Sequence, residues 1–286
     1  MRRSLPLGAQ INLLLLLVIV PFLGTLAYQY WSDVKLAREN TGERLRLVAR
    51  AVAADTNSDL ADAQDLLGLM ARRPLIRAVD PARCDPFVEQ FAQLHPDWAN
   101  VGVVDLTGRL VCSAERYRGS KQFVITDRSL FFDQALRSKR PFVSRPFVGP
   151  LSKRWVVVMA QPIRDDAGAV KGLLIAAPDL ARLRLPRAGL GLEDSDTIDV
   201  FDPSGTVIMR STDPASWIGK SLAGASRAVD AIRARAGDGM LIAAGPDGSR
   251  GVYGYATIER TGWRVAVGRP LAAVYAQANA SGRRQA

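Results

Sequence analysis

The chain has 286 residues, and 38 Lys and Arg against 28 Asp and Glu leave a net charge of +10. That length fits one or two folded units, and 48% hydrophobic with 23% charged residues excludes global disorder. Two cysteines and a single histidine, His95, exclude a disulfide scaffold, a four-cysteine zinc site and a multi-histidine metal centre. The basic balance permits contact with phosphates or anionic lipid but identifies no partner. No cofactor and no nucleic acid are expected.

Arg2 and Arg3 precede an apolar run over residues 11–27, interrupted by Asn12, Pro21, Gly24 and Thr25. Tyr28, Tyr30 and Trp31 give it an aromatic edge. A spanning helix needs about 20 mostly apolar residues. Residues 11–31 are therefore predicted as a transmembrane signal anchor, with residues 1–10 in the cytoplasm and the rest outside. The alternatives are a cleaved signal peptide, with Thr25-Leu26-Ala27 before the cut, and a buried core helix. The first two readings both export the remaining chain.

Residues 32–73 contain no proline and two glycines. Leu45, Val48, Val52, Leu60, Leu67 and Met70 recur at spacings compatible with one helical stripe. The spacing predicts a long stalk helix that stops at Pro74, with room to pair with a copy of itself into a homodimer. The alternative is an amphipathic helix packed on a single domain.

The period then changes. Val101 to Cys112 reads as strand, turn, strand about Asp105 and Gly108. Residues 127–137 read as helix or loop, and residues 142–147, 155–163 and 171–177 as three further strands. The same order returns from Asp202-Pro203-Ser204-Gly205, 97 residues after Asp105. A helix over 221–235 and strands over 239–244, 250–258 and 263–270 complete it. The expected fold is α+β, with two tandem modules over 74–185 and 186–275 and a tail over 276–286. Each module carries a five-stranded antiparallel sheet. Residues 180–193 link them, and the acidic run 193–196 reads as a solvated turn.

An anchor, a long helix and two tandem PAS-like sheets resemble the double Cache sensor family. These are extracytoplasmic input domains of bacterial histidine kinases, diguanylate cyclases and chemoreceptors. The residues that carry the resemblance are 99–113, Asp127-Arg128 with Phe131-Phe132, and 161–168 in the first module. In the second they are 202–205, 217–220 and 262–268. The resemblance implies a membrane-distal first module that holds a small ligand. The stalk helix and the membrane-proximal second module would carry the signal to a bacterial inner membrane. Such sensors normally continue into a second spanning helix and an output domain. After Pro270 this chain has only a short, partly polar stretch, so a stand-alone sensor or the front of a truncated protein is expected, with its signalling partner separate.

An amino-acid-binding subset of the family grips its ligand with an Arg, aromatics, a Tyr and an Asp. Arg128 and Phe131 match the first part. Leu130 stands where Trp would be, Pro146 or a neighbour where Tyr would be, and Ala177 near the place of the Asp, so no amino-acid ligand is expected. Residues 115–154 carry ten Lys and Arg against three acids. A guanidinium binds carboxylate or phosphate with paired hydrogen bonds. The expected site is a small-anion pocket anchored by Arg128, with Phe131, Phe132, Phe142, Ser144, Trp155, Val157 and Met159 around it; the alternative is that these are core residues and solvated charges. Cys84 and Cys112 are expected to pair as a disulfide outside the membrane, the alternative being two buried thiols. No nucleophile and base are paired in the sequence, so an enzyme is not expected. The competing function is a non-catalytic adaptor that binds an acidic protein or lipid headgroups.

Overall fold

The computed structural model describes residues 7–115, 123–138, 141–183, 185 and 189–282. One helix, α1 (Leu7–Met70), joins the predicted anchor and stalk without a break. At 1.5 Å per residue it is roughly 95 Å long. Residues 15–33 of it are exposed on every side and include most of the apolar run. By length and composition this helix can cross a membrane. From residue 45 onward the predicted stripe is buried: Leu45, Val48, Val52, Leu60, Leu67 and Met70 all lie in one core. The helix ends where Pro74 opens α2 (Pro74–Ala78), since proline suits a first helical turn and cannot continue a helix.

After α3 (Phe87–Leu94), the first sheet contains β1 (Trp98–Asp105) and β2 (Leu110–Ser113). A short 3₁₀ turn and α4 (Phe132–Arg137) follow. The predicted strand over 142–147 is two pieces, β3 (Phe142–Val143) and β4 (Phe147–Val148). The one over 155–163 is likewise β5 (Trp155–Val156) and β6 (Met159–Arg164). Pro146 supplies no N–H for a ladder, and Ser144 takes over at the break. Its backbone N–H donates to the Val158 carbonyl at 2.9 Å, and its hydroxyl accepts from the Val158 N–H at 2.8 Å. With β7 (Val170–Pro178), the sheet order is β2-β1-β7-β6-β3, and β4 and β5 form a separate hairpin.

The second module repeats this plan. It contains β8 (Thr197–Phe201), β9 (Val207–Arg210), α5 (Pro214–Trp217) and α6 (Arg227–Arg233). Then come β10 (Gly239–Ala244), β11 (Arg250–Ile258) and β12 (Trp263–Pro270). Its order, β10-β11-β12-β8-β9, is the first sheet's order read from the other edge. The predicted helix over 221–235 is shorter because Gly224 turns with φ 75° and Ser226 caps α6 through Val229. Finally α7 (Leu271–Gly282) folds back on α1, where Arg38 hydrogen-bonds Tyr275.

The turns share one device. Asp105 Oδ1 accepts from the Thr107 N–H and hydroxyl and from the Arg109 N–H. Asp202 Oδ1 does the same with Ser204 and Thr206. A carboxylate that mimics a backbone turn explains why Asp opens both hairpins. The acidic run 193–196 is not simply solvated. Asp196 and Glu193 clamp the buried guanidinium of Arg269, with Asp196 bidentate at 2.7 Å. Burying a guanidinium is tolerable only with such partners, so the linker is pinned to β12.

Candidate functional site

Both sheets turn one face to α1. On β1, Val101 and Val103 join the α1 core, and Val104 lies on the opposite, outer face. On β7, Leu174 and Ala176 point inward and Leu173 and Ala177 outward. This is the period-2 alternation of a strand. Over the outer face of the first sheet lie residues 123–131 and the β4–β5 hairpin. Between them and the sheet is a cavity of about 500 Å³.

Its floor includes Val104, Val158, Ile175 and Ala177, and its walls include Phe131, Phe147 and Leu151. Phe131 and Phe147 stack with ring centroids 6.2 Å apart. Polar residues are few: Asn100, Thr126, Asp127 and Ser152. Asn100 is buried, and its Oδ1 accepts from the Ser113 hydroxyl and the Glu115 N–H, both at 3.0 Å. Its amide nitrogen remains as a donor. Asp127 Oδ1 is occupied by the Ser129 N–H and hydroxyl.

Of the eight residues expected to hold a ligand, Phe131 lines this cavity. The other seven lie outside its lining. Arg128 is drawn to Asp133, at 2.9 Å, and lies 4.2 Å from the centre of the Phe132 ring. An acid five residues away satisfies the guanidinium from within the chain. Phe132 is fully buried beneath it, and Phe142 packs on the same cluster. Ser144 braces the broken strand. Val157 and Met159 belong to the α1 core, while Val156 and Val158 face outward, a slip of one position in strand parity. Trp155 reaches the second module, where a side chain at Gly219 would overlap its ring. Arg116, Arg118, Lys121, Lys139 and Arg140 of the basic stretch lie outside the described residues. Asn100, Phe123, Ile125, Phe147, Val156 and Val158 were not anticipated. A buried amide in an otherwise apolar strand was the available signal for the first.

Cys84 and Cys112 form a disulfide that ties the segment before α3 to β2. Among the described residues, no three His, Cys, Asp or Glu side chains gather as a metal site.

The corresponding face of the second sheet is filled by the chain itself. Phe201, Val207, Leu222, Val229, Ile232 and Tyr255 pack there. Tyr253 covers Gly268, a position where any side chain would strike its ring. Beside it, Asp199 pairs with Arg210 at 2.7 Å, both nearly inaccessible, and the Arg210 guanidinium lies 4.4 Å from the Trp217 ring. Burial lifts the Asp199 carboxyl to about 6, against the pull of Arg210, with a smaller push from Asp247. Burial, then Asp247 and Asp199, drive the Tyr253 phenol up to about 12.

A family model described as "Cache domain" matches residues 34–278. Among solved structures, the chain is similar to the extracellular domain of a proposed histidine kinase, rpHK1S-Z16. They are 18% identical, with 81% of this chain and 95% of that one covered and a TM-score of 0.65. It is also similar to the ligand-binding domain of the Pseudomonas fluorescens chemoreceptor CtaA in complex with L-serine. There the identity is 16%, the coverage 82% and 98%, and the TM-score 0.64. A third is the ligand-binding domain of the Pseudomonas aeruginosa amino acid chemoreceptor PctC with GABA. It shows 18% identity, 80% and 99% coverage and a TM-score of 0.60. No curated protein matches the chain.

Proposed function

The chain belongs to the Cache domain family, and from that premise we propose that it is a membrane-anchored sensor without catalysis of its own. In this reading residues 11–31 of α1 span the membrane and the two sheets stand in the periplasm. The first module is distal, the second proximal. A small molecule enters the first module's outer cavity, and α1, which packs against both sheets, passes the change toward the membrane. The observation that carries the reading is the contrast between the two sheets: the first has an open cavity of about 500 Å³ on a face that the second fills with its own side chains. Cavities of roughly 300–1,000 Å³ suit small ligands. Two of the similar solved domains are described as complexes with L-serine and GABA, which supports a small-molecule role.

The test is a thermal-shift screen of the full chain in lipid nanodiscs against carboxylates, amino acids, purines and small apolar compounds. A ligand present at 100 times its Kd stabilises by about 2.7 kcal/mol, a rise of several degrees. A saturable rise is expected from at least one class. A flat result across all classes would move the reading to the adaptor that binds another protein.

A further inference from the structure

We infer that the ligand of the first module is a mostly apolar small molecule without negative charge, with its body against the Phe131–Phe147 wall. The inference rests on the sensor reading above and specifies its ligand class. Three observations carry it.

The first is the lining. The sheet floor offers Val104, Val158, Ile175 and Ala177 to a guest, and the walls add a stacked pair of phenyl rings. Rings of this kind receive another flat ring in an offset or edge-on arrangement.

The second is charge. Among the described lining residues the one ionisable side chain is an acid, Asp127. Arg128, adjacent in sequence, is outside the lining and held by Asp133 and Phe132. A carboxylate or phosphate placed in this cavity would lose its water without gaining a described cation, and an unpaired buried charge is strongly disfavoured. A neutral apolar molecule gains from the same desolvation.

The third is the set of donors left over. Asn100 is buried and its Oδ1 is doubly occupied, so its amide N–H, together with the lining hydroxyls of Thr126 and Ser152, can offer a guest a hydrogen bond. A few neutral donors in an otherwise apolar site fit a molecule with an uncharged acceptor, such as a hydroxyl or carbonyl oxygen.

The test is calorimetric titration of the full chain in nanodiscs, with empty nanodiscs as the blank. The probes are indole, hexan-1-ol, succinate and L-serine. Two variants narrow the cavity: Leu130→Trp, at a partly exposed lining position, and Ala177→Phe on the floor. Arg128→Ala is the third variant. Indole or hexan-1-ol is expected to bind at least tenfold more tightly than succinate or L-serine. Either narrowing variant should weaken that binding fivefold or more, and Arg128→Ala should leave it within twofold. Tighter binding of succinate or L-serine, lost in Arg128→Ala, would overturn the ligand class and leave the sensor reading intact. Indole binding indifferent to both narrowing variants would place the site elsewhere and overturn the inference. No saturable heat from indole or hexan-1-ol would overturn the inference, while the sensor reading would stand or fall on the thermal-shift screen above.

Discussion

Asp199 shows how one residue can set a pH response. Its strand position turns it to the outer face of the second sheet, where Arg210, Tyr253 and Asp247 are its ionisable neighbours. Desolvation is the larger influence, so the carboxyl is lifted to about 6 despite the ion pair. The folded chain therefore binds this proton more tightly than the unfolded chain, whose Asp titrates near 3.9. The stability it contributes is fully present below about 3.9 and is lost as pH rises through about 6. Wild type should gain stability relative to Asp199→Asn as pH falls from 7 to 4.5. Paired thermal midpoints across that range check it, and a constant gap would show that Asp199 does not titrate there. Comparison with the variant is needed because Asp85, held low by its hydrogen bonds from Arg73, works in the opposite direction.

At the scale of elements, the contact between α1 and β11 depends on an absent side chain. A Cβ at Gly254 would overlap the backbone of Leu45 and Arg46. The helix thus lies directly on the strand, with Leu45, Val48 and Val52 against Val252 and Ala256 in one core. Gly254→Ala should cost about 1–3 kcal/mol, the usual range for overpacking, with a lower denaturation midpoint. Gly68 on the same helix has open space around its missing Cβ. Gly68→Ala should instead stabilise by about 0.5–1 kcal/mol, because glycine weakens a helix interior. Equal effects from both substitutions would contradict the close approach at Gly254.

For the whole molecule, two sheets of the same topology share one helix and one continuous core. The contact of Trp155 with Gly219 joins the modules away from that helix, and the Arg269 clamp pins the end of the linker to β12. The disulfide closes a 28-residue separation inside the first module alone. Replacing Cys84 and Cys112 together by Ser should lower unfolding stability by about 2–5 kcal/mol. Denaturant unfolding with and without reductant reads this. Reductant should lower the wild-type midpoint and leave the double variant unchanged; a wild-type midpoint indifferent to full reduction would show that the bond adds no stability.

The sequence by itself determined the long helix and the stripe it buries, the 97-residue repeat of the Asp–Gly hairpin, and the candidate pair of cysteines. Each is set by local chemistry: a 3.6-residue period, a carboxylate that closes a turn, two thiols that can pair. Tertiary structure decided which strand face meets α1. Both faces of β1, β6 and β7 are largely apolar, so alternation alone could not separate Val156 and Val158 from Val157 and Met159. It also decided the fate of Arg128. A guanidinium binds a ligand's carboxylate or the chain's own with the same hydrogen bonds, and only the fold brings Asp133 within 2.9 Å and Phe132 beneath it. The cavity itself is a tertiary product, because its walls and floor come from segments that only folding brings face to face.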